Sequence, residues 1–191
     1  MPAKEESARR EGQPAVVRDV RQPPEAVERV ARFLLEAKVE ARLEEFLVGT
    51  PTAEDAAAAA GCGLEQIVKS LVFLCDGQPV LVMVPGDRRA DRTKVGKALG
   101  CERTVVAPPQ RVAEETGFEA GGVAPFPLPR IERSLIDPTL LVHEEVWVGA
   151  GSSRHMAVLA PSDLARLTRA QSADVVEQSG NVRDGTSRKE S

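Results

Sequence analysis

The stretch LEQIVKSLVFLCDGQPVLVMVPGD, residues 64–87, reads as a short helical turn, a strand, a tight reversal and a return strand. The first strand falls around 69–75 and the return strand is PVLVMV. Between them stands Asp76-Gly77. That dipeptide tolerates the positive φ angles that a two-residue hairpin turn demands, so the spacing predicts an antiparallel hairpin. One residue is out of character. Lys69 interrupts the apolar run IVKSLVFLC. A lysine there either snorkels from a strand edge or serves as a cation in a site.

Toward the N-terminus, PTAEDAAAAAGCG (51–63) reads as a helix. Thr52 and Asp55 approximate a capping box, and Gly61 and Gly63 end it. Ala41, Leu43, Glu45 and Leu47 suggest a strand before it. PPEAVERVARFLLEAK (23–38) is an amphipathic helix whose Val27, Val30, Ala31 and Leu34 share a face. Toward the C-terminus, RADRTKVGKALG (89–100) predicts a basic helix closed by Gly100, VVA (105–107) a short strand, and PPQRVAEETG (108–117) another helix. RIERSLID (130–137), LLVHEEVWVGAG (140–151) and HMAVLAP (155–161) read as three further strands, and DLARLTRA (163–170) as a closing helix. Strands bunch and alternate irregularly with helices, so a mixed α+β sheet is expected rather than a doubly wound one. Residues 1–22 and 171–191 are polar and charged and are expected to be disordered tails, leaving 23–170 as one folded domain.

Composition limits function. The chain has 191 residues, 42% of them apolar, but only 3% aromatic and no Tyr. Its core must be built from Val, Leu, Ala and Ile. A net charge of −4 argues against coating DNA or any long nucleic acid, where phosphate neutralisation dominates affinity. It leaves room for a basic patch holding one strand end. The start lacks the apolar segment of a secretory signal, and no apolar run approaches the roughly 20 residues that span a bilayer, so a cytoplasmic protein with no membrane partner is expected. Cys62, Cys75 and Cys101 are far apart and form no CxxC pair; reduced thiols acting as small core residues are expected. Cys and His never occur at ligand spacing, so neither a metal nor another cofactor is expected.

The segment GGVAPFPLP (121–129) packs two glycines and three prolines into nine residues. It suits neither a helix nor a central strand.

Five stretches carry a resemblance in order along the chain. They are TAEDAAAAAGCGLEQIVKSLVF (52–73), LVMVPGDRRADRTKVGKALG (81–100), TGFEAGGVAPFPLP (116–129), LIDPTLL (135–141) and VWVGAGSSRHMAVLAPSDL (146–164). Together they resemble the YbaK/aminoacyl-tRNA synthetase-associated domain, the editing module of prolyl-tRNA synthetases and of free-standing deacylases, over about residues 41–168. The resemblance implies a barrel-like mixed sheet of about six to seven strands flanked by helices. It implies hydrolysis of the ester joining a wrong amino acid to a tRNA, on tRNA(Pro) or a similar tRNA. The family's recurrent lysine falls on Lys69, its GxxxP loop on Gly121 to Pro125, and its late glycine on Gly151. The chain departs from relatives that carry a His before the TAEDA helix; it reads EFLVGTP there, which leaves the amino acid open. It carries no synthetase or anticodon-binding region, so action in trans is expected, with transient contact with a synthetase.

The chemistry fits that implication. Ester hydrolysis develops negative charge on the carbonyl oxygen, and preorganised backbone N–H groups stabilise it. Gly121, Gly122, Val123, Ala124 and Pro125 are expected to form that ester-binding loop, with Lys69 holding a carbonyl or a terminal phosphate. Gly151 and Ser152, in a second small-residue loop, are expected at the adenosine or amino acid. Asp137 is a further candidate, although beside Pro138 it is also a turn former. Arg88 and Arg92, with Arg89, Lys94 and Lys97, would hold the acceptor end, or else form a solvated face. His143 and His155 are expected to be ordinary surface or core histidines. No Ser-His-Asp or Cys-His constellation stands out. Two other readings remain: a non-catalytic module binding a tRNA end or a protein, and a small-molecule ester hydrolase, which lacks an evident nucleophile.

Overall fold

The computed structural model describes residues 24–50 and 52–178. Five helices lie among them: α1 (Glu25–Glu36), α2 (Ala53–Ala60), α3 (Arg92–Leu99), α4 (Pro109–Thr116) and α5 (Pro161–Thr168). The strands are β1 (Ala41–Glu45), β2 (Ile67–Cys75), β3 (Gln78–Pro85), β4 (Thr104–Val106), β5 (Arg133–Ile136), β6 (Val146–Ser152), β7 (His155–Leu159) and β8 (Gln171–Ser172). They form one mixed sheet in the order β1-β7-β6-β2-β3-β5-β8, with β4 also on β2. The α+β class holds.

The β2–β3 hairpin is the centre of this sheet. Asp76 and Gly77 take φ values of 50° and 86°, so both turn residues are left-handed and Cys75 lies opposite Gln78. β3 is buried on both faces. Leu81 and Met83 enter one core cluster with Val30 and Leu34 of α1, while Val80, Val82 and Val84 enter another with Val95 of α3. A near-continuous apolar strand is what a sheet covered on two sides requires. A third cluster, around Trp147 and Met156, is covered by Ala56 and Ala57 of α2.

The far edge of β2 forks. Ile67 and Val68 pair in parallel with Trp147 and Val148 of β6, whereas Phe73 to Cys75 pair with β4. Between these ladders, residues 69–71 have β3 on one side and, among the described pairings, no strand on the other. The sheet opens there, at Lys69.

Four expectations need correction. LLVHEEVWVGAG is not one strand: residues Pro138–Val142 form a 3-10 turn and β6 begins at Val146. Asp137 caps that turn, accepting the Thr139 N–H and hydroxyl, and Pro138 suits its first position. The tail expected from residue 171 is ordered through 178. β8 pairs in parallel with β5, Val175 and Val176 are buried, and the Val175 N–H reaches the Asp137 carboxylate at 3.2 Å. Two valines there carry enough apolar surface to dock, which the surrounding polar residues mask. This added strand also takes the sheet past seven. Finally, Cys75 and Cys101 are joined in a disulfide, leaving Cys62 as the free thiol. The β2 end and the α3 end meet in space although 26 residues separate them. The expected tails at 1–22 and beyond 178 lie outside the described residues.

Candidate active site

A cavity of about 320 Å³ occupies the fork in the sheet. Lys69, Ser70 and Leu71 of β2 form one wall. Gly121 and Val123 of the glycine–proline loop form a second, and Ser152, His155 and Met156 of the β6–β7 hairpin a third. Ala53 and Ala56 of α2, with Thr50 and Thr52, close the rest. The sequence folds this way locally because Thr52 caps α2, accepting the Asp55 N–H at 3.1 Å, and because Thr50 donates to the Ser153 carbonyl at 3.0 Å, tying the two rims together.

Lys69 is the third residue of β2, not a residue at the strand's start, and it is half-buried. Its ammonium donates to the Gly86 carbonyl at 2.9 Å and to the Arg88 carbonyl. Burial holds its pKa below the ordinary lysine range; Glu54 and Asp87 partly offset this, and Arg89 adds to it. An ammonium has three donors, so one remains for a ligand. Beside it, the Ser70 hydroxyl is buried and without a hydrogen-bond partner among the described residues. Such an orphan is unfavourable unless a ligand satisfies it.

The glycine–proline loop divides. Gly121 is exposed with φ +90°, and Val123 is half-buried; both line the cavity, and their N–H groups have no acceptor among the described residues. Gly122 is different. Its N–H donates to the Glu119 carbonyl at 3.0 Å and its carbonyl accepts from Gly151 N–H at 3.1 Å. Gly122 is therefore no oxyanion donor; it is a brace. A Cβ there would stand 2.9 Å from the Ser152 backbone carbon, closer than side chains pack. Ala124 and Pro125 are buried and lie off the cavity, Ala124 in the main core. The prolines stiffen the loop from behind.

Several other candidates also stand elsewhere. Gly151, at φ +97°, packs on the Ala26 backbone of α1. Asp137 is 1% exposed, with its carboxylate taken up by Thr139 and the Val175 N–H, so it is the turn former and not a ligand. Arg92 lines a separate hollow with Thr93 and Glu102, and Arg88 lies beside Asp87 at 3.6 Å. Lys94 is committed to Asp174 and to the Val176 carbonyl, which holds the Asp174 carboxyl below its usual range.

Ser152, in contrast, lines the cavity and is hydrogen-bonded to His155, Oγ to Nδ1 at 2.7 Å. This pair was not legible as a motif, because the two residues come together only across the β6–β7 turn. The register pairs them directly, Ser152 opposite His155. Burial lowers the His155 pKa; Glu45, opposite it on β1, raises it and Arg154 lowers it further.

A family model described as an aminoacyl-tRNA editing domain matches residues 48–167. The uncharacterized protein YwhH of Bacillus subtilis (strain 168) is 33% identical over 125 residues, covering 65% of this chain and 79% of that protein. A proline–tRNA ligase of Nitratidesulfovibrio vulgaris (strain DP4) is 32% identical over 131 residues, covering 63% of this chain but only 23% of the ligase. Among solved structures, a candidate trans-editing enzyme for prolyl tRNA synthetase superposes with a TM-score of 0.76 and 34% identity, covering 82% of this chain and 100% of that one.

Proposed function

The chain belongs to the aminoacyl-tRNA editing domain family, and from that premise we propose that it is a deacylase acting in trans on mischarged tRNA, with tRNA(Pro) or a similar tRNA as carrier. The observation that carries the reading is the shared cavity: Lys69 and the Gly121–Val123 loop, far apart in sequence, face one hollow opened by a fork in the sheet. The ester carbonyl would lie against the Gly121 and Val123 N–H groups, which are fixed by the Gly122 brace and need little reorganisation as charge develops. The remaining donor of Lys69 and the Ser70 hydroxyl would take further polar atoms of the aminoacyl-ribose. The small lining residues Ala53 and Ala56 favour a small amino acid. The reaction calls for no metal or cofactor. Hydrolysis at this cavity would proceed in the cytoplasm, where charged tRNA is found; among the described residues no helix is long and apolar enough to cross a membrane.

One observation favours a second reading. Lys69 already donates to two carbonyls of its own chain, as a structural lysine would. A non-catalytic module that binds a tRNA end would keep the same cavity and lack turnover. The test is a deacylation screen with Ala-, Cys-, Ser-, Thr- and Pro-charged tRNAs and purified full-length protein. Release of one or two small amino acids supports the proposal. Binding without release on all five supports the module.

A further inference from the structure

We propose that Cys101 is a thiol-exchange site for a low-molecular-weight, carboxylate-bearing thiol, with Cys75 as its buried leaving group. The inference rests on the cytoplasmic, tRNA-binding reading above. Small thiols keep that compartment reducing, so a disulfide there is a staple only if it is shielded from them. The two halves of this disulfide are not alike. Cys75 is 3% exposed, inside the core cluster of Phe73 and Val95. Cys101 is half-buried and lines a hollow of about 290 Å³ with Arg92, Thr93 and Glu102. An incoming thiol therefore meets Cys101 first, and Arg92 in the same hollow attracts its carboxylates.

Charge favours the same direction. In exchange, the sulfur whose thiolate is better stabilised leaves faster. The Arg133 guanidinium of β5 stands 3.8 Å from Cys75 Sγ, and its other amino group donates to the Leu99 carbonyl at the end of α3. That cation stabilises a Cys75 thiolate. Cys101 follows Gly100, the C-cap of α3, where the helix dipole disfavours an anion. The Asp76 carboxylate lies within 4.8 Å of both sulfurs, but its oxygens already accept the Glu102 and Arg103 N–H groups at 3.2 and 2.8 Å.

The step balances. The thiolate sulfur of the small thiol bonds to Cys101 Sγ as the Cys75–Cys101 bond breaks, and the electron pair of that bond leaves on Cys75 as a thiolate. A second small thiolate attacking the adduct releases the small-molecule disulfide and the Cys101 thiolate, so two small thiols are oxidised and the protein disulfide is reduced. Attack of Cys75 on the adduct reverses the first step. The fold keeps the pair ready for that return. β4 pairs with β2, placing Cys75 opposite Thr104, and the Asp76 N–H donates to the Arg103 carbonyl at 2.9 Å. None of these bonds passes through the disulfide, so the two ends stay in register when it opens. While it stands, the adduct fills the hollow at Arg92 with negative charge and weakens the hold on a tRNA end.

The test uses oxidised full-length protein and millimolar glutathione, quenched by denaturing alkylation and read by intact mass and peptide mapping, which separates Cys62 from the pair. The wild type should show a transient glutathione adduct on Cys101 with Cys75 alkylated. Given glutathione disulfide, Cys75→Ser should accumulate the adduct on Cys101, and Cys101→Ser should leave Cys75 unmodified. Arg133→Gln should slow opening of the wild-type disulfide about tenfold, and Arg133→Lys should restore part of the rate. The adduct trapped in Cys75→Ser should bind charged tRNA about tenfold more weakly than the same variant unmodified. A disulfide that glutathione leaves intact until denaturant is added would overturn the proposal, as would an adduct on Cys75 in place of Cys101. Unchanged tRNA affinity in the trapped adduct would overturn its link to tRNA. A wild type that neither binds nor deacylates any charged tRNA would sink the deacylase reading, whereas the exchange itself is decided by mass alone.

Discussion

Gly122 shows how a residue outside the chemistry can decide it. It offers no donor to the cavity, yet its carbonyl and the Gly151 N–H lock the glycine–proline loop to the β6–β7 hairpin. Gly122→Ala would press a methyl carbon onto the Ser152 backbone at 2.9 Å, and backbone cannot swing aside. Deacylation should fall at least tenfold and the melting temperature should drop, because the loop must move off its brace. Gly121→Ala meets nothing within 4 Å but keeps φ at +90°, so it should cost only about 1–2 kcal/mol and a smaller share of the activity. Equal effects at the two positions, measured by turnover and thermal melting, would refute the brace. Lys69 is the other residue whose substitution is informative. Lys69→Ala should lower the rate by roughly 10²-fold, the scale of a lost oxyanion donor. It should also lower the melting temperature, since the Gly86 and Arg88 carbonyls lose their donor. Lys69→Arg should restore neither, because a planar fork does not reproduce a compact ammonium between two carbonyls. Full turnover in a folded Lys69→Ala protein would remove this lysine from the site.

Elements set by local rules were legible; elements set by partners were not. The hairpin at Asp76-Gly77, the cap at Thr52 and the glycine stops at Gly61, Gly100 and Gly117 all adopt the conformations their residue types favour. The 3-10 turn after Asp137 went unread because LLV is apolar and resembles a strand; what fixes it is the side chain of Asp137, whose second oxygen serves Val175, 38 residues away. The same long-range bond explains why 171–178 looked like a tail. Val175 is fully buried, so Val175→Ala should cost about 2 kcal/mol and loosen β8 from β5. A variant as stable as wild type in urea would show that this segment contributes nothing. The Cys75–Cys101 link was equally invisible, since sequence spacing says nothing of two element ends meeting. Closing a loop of 26 residues should contribute about 3–4 kcal/mol by restricting the unfolded chain. Reductant should therefore lower the melting temperature of the wild type, and Cys75→Ser should remove that sensitivity. Of the residues lining the cavity, Lys69, Gly121, Val123 and Ser152 were singled out from sequence as site candidates, while the contact between Ser152 and His155 was not legible, because it is made by the register of β6 on β7 and not by any spacing along the chain.

At the scale of the whole molecule, charge limits how a tRNA can be held. The chain carries a net −4, so most of its surface repels a polyanion, and binding must concentrate where cations stand free of acids. The α3 region qualifies only in part. Lys94 is committed to Asp174, and Arg88 lies beside Asp87, while Arg89 and Arg92 are exposed. A contact limited to the single-stranded acceptor end and using about three of these cations predicts a shallow salt dependence. At about −0.7 per phosphate neutralised on a single strand, log K against log salt should have a slope near −2. A protein that gripped the body of the tRNA would show a far steeper line. Neutralising Arg88, Arg89 and Arg92 together as glutamine should flatten the slope to nearly zero and raise KM for charged tRNA. It should leave kcat at saturation close to wild type, because these side chains do not line the cavity. Substituting glutamine keeps the backbone carbonyl of Arg88 that holds Lys69, so a loss of kcat would mean the region does more than bind. An unchanged slope with unchanged KM would make this a solvated face, and the acceptor end would have to enter past the β6–β7 hairpin instead.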